Sequence, residues 1–138
     1  MRFAAAGRIR LLDSPARWYP ESENGDRVMI EDTITNIEAR IKAADAINED
    51  RRQELLQLLA TLKSEVAKLS KTDGDQAQSI AGFTELSTHE ATRARKNPEL
   101  LDLSLKGLTS SVAEFEQSHP QLVQLVNAIS NTLASLGI

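Results

Sequence analysis

Hydrophobic residues recur along most of this chain at alternating steps of four and three, the spacing that lines one side of an α-helix. Ile30, Ile34, Ile37 and Ile41 form a first stripe, on a helix running to about Ala46. Leu55, Leu59, Leu62, Val66 and Leu69 form a second, ending near Lys71. Between them Asn48 offers an N-cap oxygen, and Glu49 and Asp50 put negative charge in a first turn, where the helix dipole favours it. The connection around Ile47 and Asn48 is so short that the two helices must return antiparallel, so residues 29–71 read as a helical hairpin.

Thr72-Asp73-Gly74-Asp75 is a turn by composition. The segment from Gln76 to Lys96 holds helix formers but only a weak stripe, Ile80, Phe83 and Leu86, which predicts a mobile middle helix of lower stability within a linker over 72–97. Asn97-Pro98 is a start signal, with Asn as cap and Pro at the first helical position. Leu101, Leu105, Leu108, Val112 and Phe115 then repeat the heptad-like rhythm, as do Leu122, Val126, Ile129, Leu133 and Leu136, giving a second hairpin over 98–138. Gly107 falls inside the first of these helices and costs about 1 kcal/mol relative to Ala unless close packing needs it. Ser118-His119-Pro120-Gln121 fits a capping box. The competing expectation is that His119, held extended by the following proline, is itself the cap and Pro120 the first helical residue. Gly137 is expected to end the last helix in a left-handed conformation, with Ile138 folded back onto Leu133.

The fold class that follows is all-α: an antiparallel helical bundle of two heptad-patterned hairpins, each needing a partner for its stripe. That partner is either the other hairpin or a second copy of the chain, and a homodimer is preferred. Ile34, Ile41, Leu59, Leu62, Leu108, Val112, Ile129 and Leu133 belong in the core. Residues 1–28 differ in kind, holding Trp18, Tyr19, Pro15 and Pro20 without a sustained apolar period, and read as a disordered leader. Met29 is the expected natural start, because Gly25-Asp26-Arg27-Val28 can be encoded by a purine-rich stretch resembling a ribosome-binding site.

At 138 residues the regular part makes one domain. With 41% hydrophobic but 4% aromatic residues, the core is built from Leu, Ile, Val and Ala. A net charge of −4 argues against general binding to nucleic acid or anionic membrane. The absence of cysteine removes disulfides, thiolate nucleophiles and Cys-based zinc sites, and fits a cytoplasmic setting. No stretch reads as a membrane span, and Arg8 and Arg10 interrupt the opening residues before a signal-peptide apolar region forms.

The run Val112-Ala113-Glu114-Phe115-Glu116-Gln117-Ser118-His119-Pro120-Gln121-Leu122, with Ile129-Ser130-Asn131-Thr132-Leu133-Ala134-Ser135-Leu136-Gly137-Ile138 after it, resembles the C-terminal signature of a small bacterial family. That family is the domain of unknown function numbered four-four-zero-four. Its members resemble short two-part helical proteins with an N-terminal hairpin, a variable linker and a tail reading Phe-Glu-x-Ser-His-Pro and ending in Gly-Ile. The resemblance covers the last third of the chain and implies a bacterial source and a helical fold. It implies no activity and carries over no catalytic residue. The leader before Met29 and the long segment from Gln76 to Lys96 depart from it.

Chemistry-bearing residues are few. Glu85, His89 and Arg93 stand at successive four-residue steps of one helix face, so a carboxylate, an imidazole and a guanidinium can meet there, although such ladders are common on solvated helices. Ser118 and His119, with Glu116 close by, suggest a Ser-His-acid set, but sequence neighbours rarely aim at each other and no oxyanion-hole loop accompanies them. Phe115, Glu116, Ser118, His119 and Pro120 are therefore expected to form a structural or partner-binding corner. Arg93, Arg95 and Lys96 suit a helix C-terminus, and a nucleic-acid contact needs a larger basic patch with stacking aromatics. The six glycines have no phosphate-loop spacing. No metal site and no cofactor are expected.

The expected function is a non-catalytic protein–protein interaction, scaffold or regulatory module with an unidentified protein partner. The alternatives are an acidic inhibitor or antitoxin-like protein covering a basic partner, and an atypical enzyme using Glu85, His89 or His119.

Overall fold

A computed structural model describes residues 22–137, with side chains from Met29 onward. Five α-helices follow one another: α1 (Ser22–Ala43), α2 (Glu49–Leu69), α3 (Gly74–Thr92), α4 (Pro98–Ser111) and α5 (Pro120–Leu136), with one 3-10 turn (Ala113–Phe115) before α5. Among the described residues there is no strand. Helix α1 starts seven residues before Met29, so residues 22–28 are helical and not the disordered segment expected of them. The rest of the leader lies outside the described residues.

Sequence signals account for most of the boundaries. Asn48 Oδ1 accepts the N–H groups of Asp50 at 2.8 Å and Arg51 at 3.3 Å, opening α2, and Asn97 Oδ1 accepts that of Leu100 at 3.2 Å, opening α4 behind Pro98. Asp73, read only as part of a turn, caps α3 in the same way through Gln76 N–H at 3.2 Å. The ends of α1 and α3 are closed by long cations. Arg52 donates to the carbonyls of Ile41 (2.5 Å), Lys42 (3.1 Å) and Ile47 (3.1 Å), and Lys96 Nζ donates to the Ala91 carbonyl. Both supply positive charge and donors where a helix leaves carbonyls unpaired.

Every expected core residue is buried: Ile34, Ile41, Leu59, Leu62, Leu108, Val112, Ile129 and Leu133 are at most 1% exposed. At about 1.5–3 kcal/mol for each buried aliphatic side chain, these stripes are the main source of stability. All of them close within one chain, so the core needs no second copy.

The arrangement differs from two hairpins joined by a loose linker. Among the described helices α3 packs against all four others, whereas α1 touches α2 and α3. Helices α1, α3 and α4 lie side by side, and α2 and α5 pack beneath them. Helix α3 is thus the central packed element of the fold, a place that its weak stripe does not foretell. Its buried face is Ala77, Ile80, Ala81, Thr84, Ser87, Thr88 and Ala91, while Leu86, taken as part of the apolar stripe, is 44% exposed. The buried hydroxyls of Thr84 and Thr88 donate back to the carbonyls one turn earlier, at 2.7 and 2.8 Å. Their polarity is satisfied inside the helix, which lets small polar residues occupy core positions.

Two glycines mark close approaches to this frame. A Cβ on Gly107 of α4 would lie 2.3 Å from Phe83 Cε1 of α3, so the packing that justifies a mid-helix glycine is present. Gly137 has φ −85° and ψ 0° and donates to the Leu133 carbonyl at 3.2 Å. The left-handed ending expected there is not formed. A Cβ there would lie 2.1 Å from Leu101 Cδ2 of α4, so any larger residue would have to displace the tip of that leucine. Ile138 lies outside the described residues.

Candidate functional site

The corner between α4 and α5 is built from backbone outward. Helix α4 ends at Ser111, and Phe115 N–H donates to the Val112 carbonyl at 2.9 Å, closing the 3-10 turn. Phe115 itself, 7% exposed, turns its ring into the core. The chain then comes round on the bond from His119 N–H to the Phe115 carbonyl, 2.7 Å. The His119 ring meets the Phe115 ring edge-on, with centroids 5.5 Å apart and planes at 73°. Glu116, Ser118, His119 and Pro120 are exposed. Pro120 opens α5, and His119 is its cap residue, at φ −138° and ψ 64°, with no side-chain cap bond. The capping box on Ser118 is therefore not formed: proline holds the residue before it out of helical geometry, and that makes His119 the boundary. Phe115 anchors this corner, and the four exposed residues present it to solvent.

The other candidate set is rearranged. Arg93 Nη1 binds Glu90 Oε1 at 2.8 Å, and His89 Nε2 lies 4.0 Å from Glu90 Oε2. The Glu90 side chain is 6% exposed. Glu85 stands apart, lining a small groove with Met29, Ile30, Thr33, Gln78, Ala81 and Gly82. The Glu85-His89-Arg93 ladder therefore does not assemble, and Glu90 takes the carboxylate role. The three-residue spacing from Glu90 to Arg93 is the signal that was available for it.

Glu116-Gln117-Ser118-His119 has a Glu-x-x-His spacing but sits in the exposed corner and not on an inward helix face. Among the described residues no group of three or more His, Asp or Glu side chains comes together to hold a metal ion. None of the described helices is long and apolar enough to cross a membrane. Glu49, in the first turn of α2, is held below its ordinary carboxyl value of 4.5 by the hydrogen bond from Gln53 and then by that from Arg52.

One surface feature had no counterpart in the sequence reading. Beside the C-terminal half of α5, an open groove of about 540 Å³ runs between α4 and α5, lined by Pro98, Leu101, Leu105, Ala134 and Gly137, with Lys96 and Asp102 at its edge. Its walls are mostly apolar. Leu105, assigned to the heptad stripe, is only partly buried because it forms one of those walls. Leu100 and Leu103, on the outward side of α4, are 41% and 58% exposed. Helical spacing alone does not reveal where two helices diverge enough to leave their stripes partly uncovered.

A family model described as a domain of unknown function (DUF4404) matches residues 55–138. The match reaches from the first turns of α2 through α3 to the end of the chain, well beyond the tail that carries the sequence resemblance. No curated protein and no solved structure matches the chain.

Proposed function

We propose, for a chain that belongs to the DUF4404 family of domains of unknown function, a non-catalytic role in protein–protein contact, as a scaffold or regulatory module. The observation that carries this reading is the apolar α4–α5 groove, open to solvent on a surface otherwise rich in charge. Apolar concavities with a few charged groups at the edge are the usual form of a partner-binding site. The histidines support the same reading, because each has a separate structural neighbour: His89 lies beside Glu90 on α3, and His119 lies against Phe115 at the corner.

The acidic-inhibitor reading draws less support. Glu38, Glu49, Glu65, Glu90 and Asp102 are paired with Lys63, Arg52, Lys68, Arg93 and Lys106, which offsets part of the acidic surface. A cytoplasmic setting and a bacterial source belong to the same proposal, the first resting on composition and the second on the tail resemblance.

The test is site-specific photocrosslinking in cells, with the crosslinking side chain placed at Asp102 on the groove edge or at exposed Asn36 on α1. Discrete crosslinked species are expected from position 102 and not from position 36. Equal, diffuse labelling from both positions, together with an activity lost on replacing His89 or His119, would refute the reading.

A further inference from the structure

We infer that the outward face of α5, with the groove beside it, receives a second copy of this chain about a two-fold axis. This rests on the interaction reading and names its partner. Charged residues make up 26% of the chain, yet α5 has none in seventeen residues. After Pro120 its exposed positions are Gln121, Gln124, Asn127, Asn131 and Ser135, which fall along one side of the helix.

In a two-fold contact a side chain on the axis meets its own copy. A charge there would face a like charge, whereas a primary amide both donates and accepts and is its own complement. A helix that only faced water would gain from Lys and Glu, and depletion of charge is what distinguishes the centre of an interface from its surroundings. Two charged groups beside this stripe are engaged. Arg51 donates to Ser135 Oγ at 2.8 Å on the α2 side, and Asp102 pairs with Lys106 at 2.9 Å on the α4 side, which gives the neutral stripe a polar rim.

The apolar component is contiguous with it. Asn127 and Ala134, two turns apart on the α4-facing flank of α5, lead directly to the groove walls Leu101 and Leu105. Helix α5 is about 25 Å long at 1.5 Å per residue. A specific contact requires roughly 1,000 Å², so two such helices crossing antiparallel would need the groove walls as well as the neutral stripe, each groove receiving the edge of the other copy. The other exposed apolar side chains, Met29, Leu86, Leu100 and Leu103, are interspersed with Glu85 and Glu99, which a two-fold contact would bring face to face.

The experiment is sedimentation equilibrium of the full chain from low to high micromolar concentration, with the exposed-site variants Asn131→Lys and Asn131→Glu. The wild type is expected to dimerise. Each variant is expected to weaken the dimer by about tenfold or more, because the introduced charge faces its own copy, and an equimolar mixture of the two is expected to restore it. A wild type that stays monomeric throughout, or variants that dimerise as well as the wild type, would overturn the inference. A monomeric wild type that still crosslinks to a different protein from position 102 would overturn it while leaving the interaction reading intact.

Discussion

Gly82 and Gly107 are both mid-helix glycines and look equivalent in the sequence, but their surroundings separate them. A Cβ on Gly82 would meet no atom within 4 Å, whereas one on Gly107 would run into the Phe83 ring. Gly82→Ala is therefore expected to stabilise the protein by about 0.5–1 kcal/mol, since it reduces only the freedom of the unfolded chain. Gly107→Ala is expected to destabilise it by about 1–2 kcal/mol, because the strain of overpacking outweighs the gain in helix propensity. In a Phe83→Ala background the Gly107 penalty should vanish, and chemical denaturation of the four variants tests that coupling. The corner shows the same limit of legibility. The dihedral rule for a residue before proline settled the role of His119, while the contact of its ring with Phe115 depends on a turn that spacing does not describe.

At the scale of the helices, start signals were more legible than burial. The caps at Asn48 and Asn97 are local chemistry, written within three residues of the bonds they make. The burial of α3 is not, because Thr84, Ser87 and Thr88 read as polar in any hydrophobic pattern while their size suits the crowded middle of a layer. Thr84 and Thr88 conceal their polarity in their own backbone, so the stripe that identifies a core helix is absent from the letters. Helix ends without glycine were equally hard to foresee, since Arg52 lies ten and eleven residues from two of the carbonyls it caps. Removing it leaves the Ile41 and Lys42 carbonyls at the end of α1, and that of Ile47 in the following turn, without this donor. Arg52→Ala is expected to cost about 1–3 kcal/mol, more than an exposed ion pair to Glu49 alone would predict. Thermal unfolding compared with Glu49→Gln separates these contributions, and equal losses in the two variants would mean that the carbonyl bonds contribute nothing.

At the scale of the whole molecule, one chain closes a single core around α3, and the α5 face and the α4–α5 groove are the proposed working surface. The stripes predicted the two hairpins and their core residues. They could not say that an intervening helix of small residues joins those hairpins, because a pattern of hydrophobic positions counts apolar side chains and not the fit of small ones. Native-state hydrogen exchange tests this most directly, since it reports opening free energies segment by segment. The amides from Ile80 to Ala91 are predicted to exchange only through global unfolding, as slowly as those of α2 and independently of protein concentration. Early exchange of α3 while both hairpins stay protected would contradict the claim and restore a picture of two hairpins joined by a loose linker.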